Sequence, residues 1–152
     1  MRIILLVILL IFAVPCAAAY DPMQIKQFIN DERALFQIKR WHGSDEAQQW
    51  SAESDIKLLT VEINPNQTKI GSPYFSPPLR EAAKARCTAV ARLALGVTTA
   101  EEQAAIARVM SKATQYHQRR SFELNNVRFD AIPVVKGMFV TMYCSVTPIG
   151  PS

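Results

Sequence analysis

The chain has 152 residues, of which 17 are Lys or Arg and 13 are Asp or Glu, giving a formal net charge of +4 at pH 7. This mildly basic balance lacks the dense Lys/Arg stripe of a nucleic-acid binder, so we expect no nucleic-acid partner. Hydrophobic residues make up 49% of the chain, as in an ordinary globular domain, and the length allows one domain with its own core.

The first nineteen residues have the layout of a secretory signal peptide. A short positively charged start is followed by an unbroken apolar run over residues 3–14 and by small residues before a cleavage site between Ala19 and Tyr20. Cleavage there would remove 19 of the 152 residues and leave 133 as a single mature domain, residues 20–152. We therefore expect a periplasmic or secreted protein.

Two alternatives for this segment are a retained anchor and a lipid attachment site. A membrane span needs roughly 20 apolar residues, whereas the run here has about a dozen and Pro15 breaks it. Lipidation of Cys16 would favour a small residue before the cysteine and Leu three residues before it, but Pro15 and Ala13 occupy these positions. Cleavage is the better prediction, and membrane attachment follows only if the segment is retained.

A helix is predicted from about residue 22 to residue 40. Asp21 is a good N-cap, proline suits the first helical position, and apolar residues then recur at near-helical spacing. Gly43 is the expected stop signal after this helix. Residues 44–50 are expected to form a further short helical piece, with a serine as its cap.

The next segment predicts one strand and one long loop. Residues 56–63 are rich in β-branched and apolar residues and end at an Asn-Pro-Asn turn signal. Residues 64–76 contain prolines, a glycine and the adjacent aromatic residues Tyr74 and Phe75. We expect an irregular loop there, and a loop of that length in a small domain usually has a function.

Two amphipathic helices joined by a short turn follow this loop. The first is predicted from Ser76 to about Leu95, with Gly96 as its stop, and the second begins at a capping box at Thr99 and ends near His117. Helices joined by so short a turn are expected to pack as an antiparallel hairpin.

The rest of the chain predicts strands and a disulfide bond. Residues 122–131 alternate between apolar and polar, and a last strand covers residues 138–147. Cys144 lies in the apolar row of that strand, and Cys87 lies on the apolar face of the first helix of the pair. Once Cys16 is removed with the signal peptide, these two cysteines are the only ones left, so one bridge, Cys87–Cys144, is expected.

These elements predict a single α+β domain. An N-terminal helix lies beside a central helical hairpin, and the hairpin packs on an antiparallel sheet of three or four strands. The disulfide bond joins the helical layer to the sheet.

The sequence contains few residues suited to catalysis or metal binding. His42 and His117 are the only histidines, and each lies at the end of a predicted helix, where a positive charge is favourable in itself. No G-x-S-x-G, C-x-x-C, H-E-x-x-H or EF-hand pattern occurs, and both mature cysteines are expected to be oxidised. We therefore expect no enzyme, no metal site and no cofactor.

Two features suit partner binding. Arg40 and Trp41 are adjacent residues of types that are favoured at interface hot spots. Tyr74 and Phe75, with Lys69 at the edge of their loop, would suit insertion into a partner's cleft. For both features, the alternative is packing within the domain itself.

The function that these features favour is non-catalytic binding of another exported protein, as a periplasmic inhibitor or an immunity-type protein would do. One alternative is a small exported hydrolase whose site assembles around His42 or His117. The other is a structural subunit held at the membrane by an uncleaved first segment.

Overall fold

A seven-stranded antiparallel sheet forms the centre of the structure, a computed structural model that describes residues 20–150. In chain order the strands are β1 (Ile38–Ser44), β2 (Gln49–Ser54), β3 (Thr60–Asn64), β4 (Gln67–Pro73), β5 (Arg120–Leu124), β6 (Val127–Lys136) and β7 (Phe139–Pro148). Their order across the sheet is β1-β2-β3-β4-β7-β6-β5, and every neighbouring pair is antiparallel. The α+β class is confirmed, but the sheet is larger than the predicted three or four strands.

A layer of helices packs on this sheet. The described helices are α1 (Pro22–Asp31), α2 (Arg33–Phe36), α3 (Pro77–Leu95) and α4 (Ala100–Tyr116). Helix α3 contacts β4, β6 and β7, helix α4 contacts β5 and β6, and helix α1 contacts β3 and α3. The core lies between the two layers, and its largest fully buried side chains include Phe36, Phe129, Ile25, Ile29, Ile63 and Ile70.

The N-terminal helix is shorter than predicted. Its predicted start is confirmed, because the Asp21 carboxylate accepts hydrogen bonds from the backbone N–H groups of Met23 and Gln24. The helical segment is interrupted at Glu32 and ends after α2, where Gln37 takes a left-handed conformation with a φ of 46°. The prediction of a helix to residue 40 is therefore wrong. Pairing of β1 with β2 outweighs the local helical spacing of the apolar residues.

The predicted helical piece at residues 44–50 is instead the turn and the start of the second strand of the β1–β2 hairpin. Ser44 Oγ accepts a hydrogen bond from the Ala47 N–H at 3.3 Å, which organises the turn. Gly43 lies in β1 with a φ of 134°, and a Cβ at this position would clash with the Gln49 carbonyl oxygen. Close approach of the two strands, rather than a helix end, thus requires this glycine.

The predicted strand at 56–63 and the predicted loop at 64–76 form a pair of strands. Strand β3 begins only at Thr60, and most of the predicted loop is β4, which lies between β3 and β7. The turn between β3 and β4 is short, and the Asn64 side chain accepts a hydrogen bond from the Asn66 N–H at 2.9 Å. The Asn-Pro-Asn signal therefore marks a tight hairpin turn and not the start of a long loop.

The ends of the two central helices are confirmed. Gly96 ends α3 in a left-handed conformation with a φ of 62°, and Thr99 with Glu102 forms the predicted capping box of α4. His117 is the C-cap of α4. The two helices contact each other, but the sheet provides the main packing surface of each. They are better described as a layer over the sheet than as a self-contained hairpin.

The C-terminal strands follow the predicted alternation. Strands β5 and β6 are joined by a turn at Asn125 and Asn126, and both residues have a positive φ, 52° and 60°. Such a conformation matches the right-handed twist of the strands that a two-residue turn connects. Strand β7 covers nearly the predicted range.

The predicted disulfide bond joins Cys87 of α3 to Cys144 of β7, with the two Cα atoms 5.9 Å apart. Both cysteines are buried. The bond connects the helical layer to a central strand, as predicted, and it is compatible with an oxidising compartment.

The predicted signal peptide and the cleavage position at Ala19 lie outside the described residues, as does Cys16. Between residues 20 and 150, no helix combines the length and the apolar character needed to cross a bilayer.

Tyr20 ties the start of the described chain to the sheet. Its hydroxyl donates a hydrogen bond to the Asn64 carbonyl oxygen at 2.9 Å and shares another with the Thr68 hydroxyl at 2.8 Å. Burial raises the pKa of Tyr20 to about 12, and the hydrogen bond with Thr68 offsets only part of this effect. An unfolded tyrosine titrates near about pH 10, so the unfolded chain loses this proton first as the pH rises.

The contribution of this proton to stability is therefore fully present below about pH 10 and is lost as the pH rises towards about 12. We expect Tyr20→Phe to remove this part of the loss of stability at alkaline pH and to lower the free energy of unfolding at neutral pH by about 1 kcal/mol. Urea unfolding of both proteins from neutral to alkaline pH measures the two effects. An equal loss of stability at alkaline pH in both proteins would show that another group is responsible.

Candidate functional site

The sheet has a covered face and an open face, and the strand register assigns each residue to one of them. Residues directly opposite each other on neighbouring strands share a face. A row across all seven strands contains only polar residues: His42, Ser51, Glu62, Lys69, Ser145, Asp130 and Ser121. The next row, which faces the helices, includes Ala52, Val61, Ile70, Cys144 and Ala131. The polar row therefore marks the face that the described helices do not cover.

A groove of about 470 Å³ lies on the open face over β6 and β7. It follows β6 from Asp130 to Lys136, which is six residue steps or roughly 20 Å of strand. Half-buried side chains form its floor, and exposed basic side chains border it. We define the open-face groove by six of its lining residues, the apolar or aromatic Ile132, Val134 and Tyr143 and the basic Lys69, Arg119 and Lys136.

Tyr143 lies across Gly71 of the neighbouring strand β4. The two residues are opposite each other in the register, and a Cβ at Gly71 would lie only 2.7 Å from the Tyr143 Cε1 atom. Glycine is required here because the aromatic ring occupies the space above it. The Lys69 Nζ atom lies 5.0 Å from the centroid of the same ring, within cation–π range. The floor and one side of the groove are thus in direct contact.

The acidic residue of the groove is paired within the protein, whereas its three basic residues form no ion pair among residues 20–150. Asp130 is 8% exposed, and its carboxylate accepts hydrogen bonds from Ser121 Oγ at 2.6 Å and from Arg128 Nε at 3.0 Å. The ion pairs found within residues 20–150 include none of the three basic residues of the groove. The groove therefore carries an excess of positive charge that an acidic ligand could meet.

Exposed aromatic side chains lie at the Lys136 end of the groove. Phe139 is opposite Lys136 in the register and is 53% exposed. Phe75 is 45% exposed, and its ring packs edge-on against that of Phe139 with the centroids 6.0 Å apart. We call Phe75 and Phe139 the exposed aromatic pair. Exposed apolar side chains that cluster are more typical of interaction surfaces than single scattered ones.

The structure separates the four residues that the sequence predicts as partner contacts. Phe75 belongs to the exposed aromatic pair, but Tyr74 is 7% exposed and packs in the core, since it continues the alternation of β4. Arg40 is exposed on the edge strand β1. Trp41 packs against the core on the covered face, where the Lys26 Nζ atom lies 6.0 Å from its ring centroid. The four residues do not form one surface, and Phe75 alone lies beside the groove.

Sequence reasoning missed most of the groove. It singled out Lys69 as the edge of a loop, whereas Lys69 lies in the middle of a paired strand and faces Tyr143. The alternation of the last predicted strand places Phe139 and Tyr143 on the face opposite Cys144, and this was the available signal for the aromatic side of the groove.

A second cavity, of about 510 Å³, contains His42, Ser51 and Glu62 on the open face. Nucleophilic catalysis would require the histidine to form hydrogen bonds with both a hydroxyl group and an orienting acid. Within residues 20–150, the side chains of His42 and Ser51 make no hydrogen bond, and the nearest acid to His42 is Glu53, with Nε2 and Oε2 3.6 Å apart and both side chains more than half exposed. This cavity does not assemble an activated nucleophile.

The described residues offer few other groups suited to catalysis or metal binding. His117 lines a separate cavity at the end of α4, together with Arg80 and Lys84. Among residues 20–150, no cluster of three or more His, Cys, Asp or Glu side chains is arranged to hold a metal ion.

Comparisons with protein-family models, with curated proteins and with solved structures find no match for this chain.

Proposed function

We propose that this chain is an exported, non-catalytic domain that binds another protein through the open-face groove and the exposed aromatic pair. The observation that carries the proposal is their continuity: Phe75 and Phe139 lie at the end of a groove with a partly apolar floor. A sheet face with no described helix over it, exposed aromatic side chains and adjacent basic residues has the composition of a protein interface.

Two independent features support export. The first nineteen residues have the layout of a signal peptide, and Cys87 and Cys144 form a bond that is typical of oxidising compartments. Tyr20, the first residue after the proposed cleavage site, is hydrogen-bonded to the sheet. A cut before Tyr20 would keep these contacts in the mature chain. We accordingly propose a periplasmic or secreted location.

Within this class we favour an inhibitor or an immunity-type protein. Such a protein acts by covering a site on its partner, and this requires a pre-formed surface rather than reactive groups. Pairing of all seven strands and the bond between Cys87 and Cys144 hold the groove in shape. A hydrolase is the weaker candidate because His42 lacks the hydrogen bonds that would activate a nucleophile. A membrane-tethered subunit depends on residues 1–19, which lie outside the described part.

Site-specific photo-crosslinking tests this proposal. We expect the protein with a benzophenone amino acid in place of Phe139 to form a covalent adduct with one partner in its native compartment, because this side chain lies at the proposed interface. The matched control carries the same group in place of Lys112, an exposed residue of α4 in the helical layer. Denaturing gels and mass spectrometry identify the adducts.

An adduct from position 139 that is missing from position 112 would support the proposal. Equal adducts from both positions, or none from either, would argue that the open face is not the binding surface.

A further inference from the structure

We propose that the open-face groove binds an extended acidic segment of the partner, with an apolar side chain of that segment anchored against the exposed aromatic pair. This inference rests on the proposed function and adds the chemistry of the partner to it. Three kinds of observation lead to it: the charges around the groove, its length and direction, and the position of Phe75 and Phe139.

The charges favour a ligand with carboxylates. Lys69 on β4 and Arg119, the residue before β5, border the two long sides of the groove, and Lys136 borders one end. None of the three takes part in an ion pair within residues 20–150. Asp130, the acid on the groove wall, is already paired with Arg128. A carboxylate that enters the groove therefore meets three basic side chains that form no ion pair among residues 20–150.

The length and direction favour an extended peptide. Asp130 and Lys136 lie six residues apart on β6, so the groove is roughly 20 Å long, and six residues of an extended chain have about the same span. Ile132 and Val134 lie between these two ends and share the open face. Alternate side chains of an extended chain point to opposite faces, so apolar residues can contact this floor while the long, exposed basic side chains at its borders reach the acidic residues of the other face.

The exposed aromatic pair provides the anchor. Phe139 is directly opposite Lys136, so an apolar side chain of the peptide can contact the rings while an acidic neighbour pairs with the lysine. Nucleic acid and anionic membranes need positive charge spread over a wider surface. On the open face Glu62 and Glu123 lie outside the groove, so the positive charge does not extend over the whole face. A short peptide in the groove needs only the basic residues that border it.

Fluorescence polarisation with a labelled hexapeptide, Asp-Leu-Glu-Leu-Asp-Phe, whose apolar side chains share one face of an extended chain, tests this inference on the purified exported protein. We expect saturable binding that is at least about tenfold tighter than that of a hexapeptide in which lysine replaces each acid. Binding should weaken as the ionic strength rises from about 0.01 M to about 0.15 M, because the screening length falls from roughly 30 Å to roughly 8 Å.

Charge reversal tests whether the groove is the site. Lys69→Glu and Lys136→Glu change exposed side chains, and each is expected to weaken binding of the acidic peptide by about tenfold or more with unchanged circular dichroism. Lys112→Glu makes the same charge change on α4 and is expected to leave the affinity unchanged. Equal binding of the two peptides, or equal losses in the groove and control variants, would overturn the inference.

The crosslinking experiment separates failure of this inference from failure of the proposed function. An adduct from position 139 without binding of the acidic peptide would overturn the proposal of an acidic segment but would still support protein binding through the open face. No adduct and no peptide binding would overturn both. Binding to phosphatidylglycerol vesicles without peptide binding would also overturn the inference, in favour of a membrane surface.

Discussion

Replacing both Cys87 and Cys144 by alanine is expected to lower the free energy of unfolding by about 4 kcal/mol. The bond spans 57 positions of sequence, and closing so long a loop removes entropy from the unfolded chain. It also links α3 to β7, two elements that otherwise meet only by packing. For a domain of this size the loss corresponds to a fall in Tm of roughly 12–20 °C.

Urea unfolding of the wild-type protein and the double-alanine variant measures this loss. Cys87→Ala alone should cost nearly as much as the double change, because either substitution breaks the bridge. Intact mass after alkylation without reductant tests the bridge and the proposed cleavage together: the protein from its native source is expected to begin at Tyr20 and to carry no alkylated cysteine. Two alkylated thiols would refute the bridge, and a mass that includes Met1 would refute cleavage.

The helical layer could be predicted because helix ends depend on residues that are close in sequence. Gly96 ends α3 and Thr99 begins α4, as the sequence indicates, since each acts on the backbone within a few residues of itself. The N-terminal segment shows that local signals fail where a distant strand decides the conformation. Ile38 continues the helical spacing of the residues before it, yet it lies in β1 and pairs with Ser54. Pairing with a distant strand decided its conformation.

The central strand could not be recognised from its own residues. Strand β4 contains Gly71 and Pro73, which in isolation favour a turn. Its conformation is fixed by β3 on one side and by β7 on the other, and β7 is far away in sequence. Gly71 fits because the Tyr143 ring of β7 takes the place of its side chain. A glycine that looks like a strand breaker is therefore required by a contact that only the folded sheet creates.

The candidate site depends on the same long-range pairing. Phe75 could be predicted as an exposed aromatic residue, but its partner Phe139 lies on the last strand. Lys69, Arg119 and Lys136 border one groove only because β7 and β6 lie between β4 and β5. The sequence thus predicted residue types that suit binding, while their assembly on one face of the sheet required the strand order.

Arg86→Met is the second substitution with a large expected effect, a loss of about 2–4 kcal/mol in the free energy of unfolding. Arg86 is 4% exposed, its Nε donates a hydrogen bond to the Leu35 carbonyl oxygen, and its Nη1 donates one to Ser72 Oγ at 2.7 Å. The side chain therefore links α3 to α2 and to the covered side of β4, the strand that carries Lys69 and Gly71 on its open side. Burial lowers the pKa of the Arg86 guanidinium, but an arginine still remains charged.

Two opposing effects determine the result. Removing the buried charge recovers its desolvation cost, whereas methionine leaves the fully buried Ser72 hydroxyl and the Leu35 carbonyl without this donor, at about 1–3 kcal/mol each. We expect the second effect to dominate, because methionine supplies no donor to replace the guanidinium.

Arg86→Met combined with Ser72→Ala should then cost less than the sum of the single changes, by about 1 kcal/mol or more. The exposed Arg108→Met is the control and should stay within about 0.5 kcal/mol of wild type. If Arg86→Met is neutral, or if its effect adds fully to that of Ser72→Ala, packing alone holds α2 and β4 against α3.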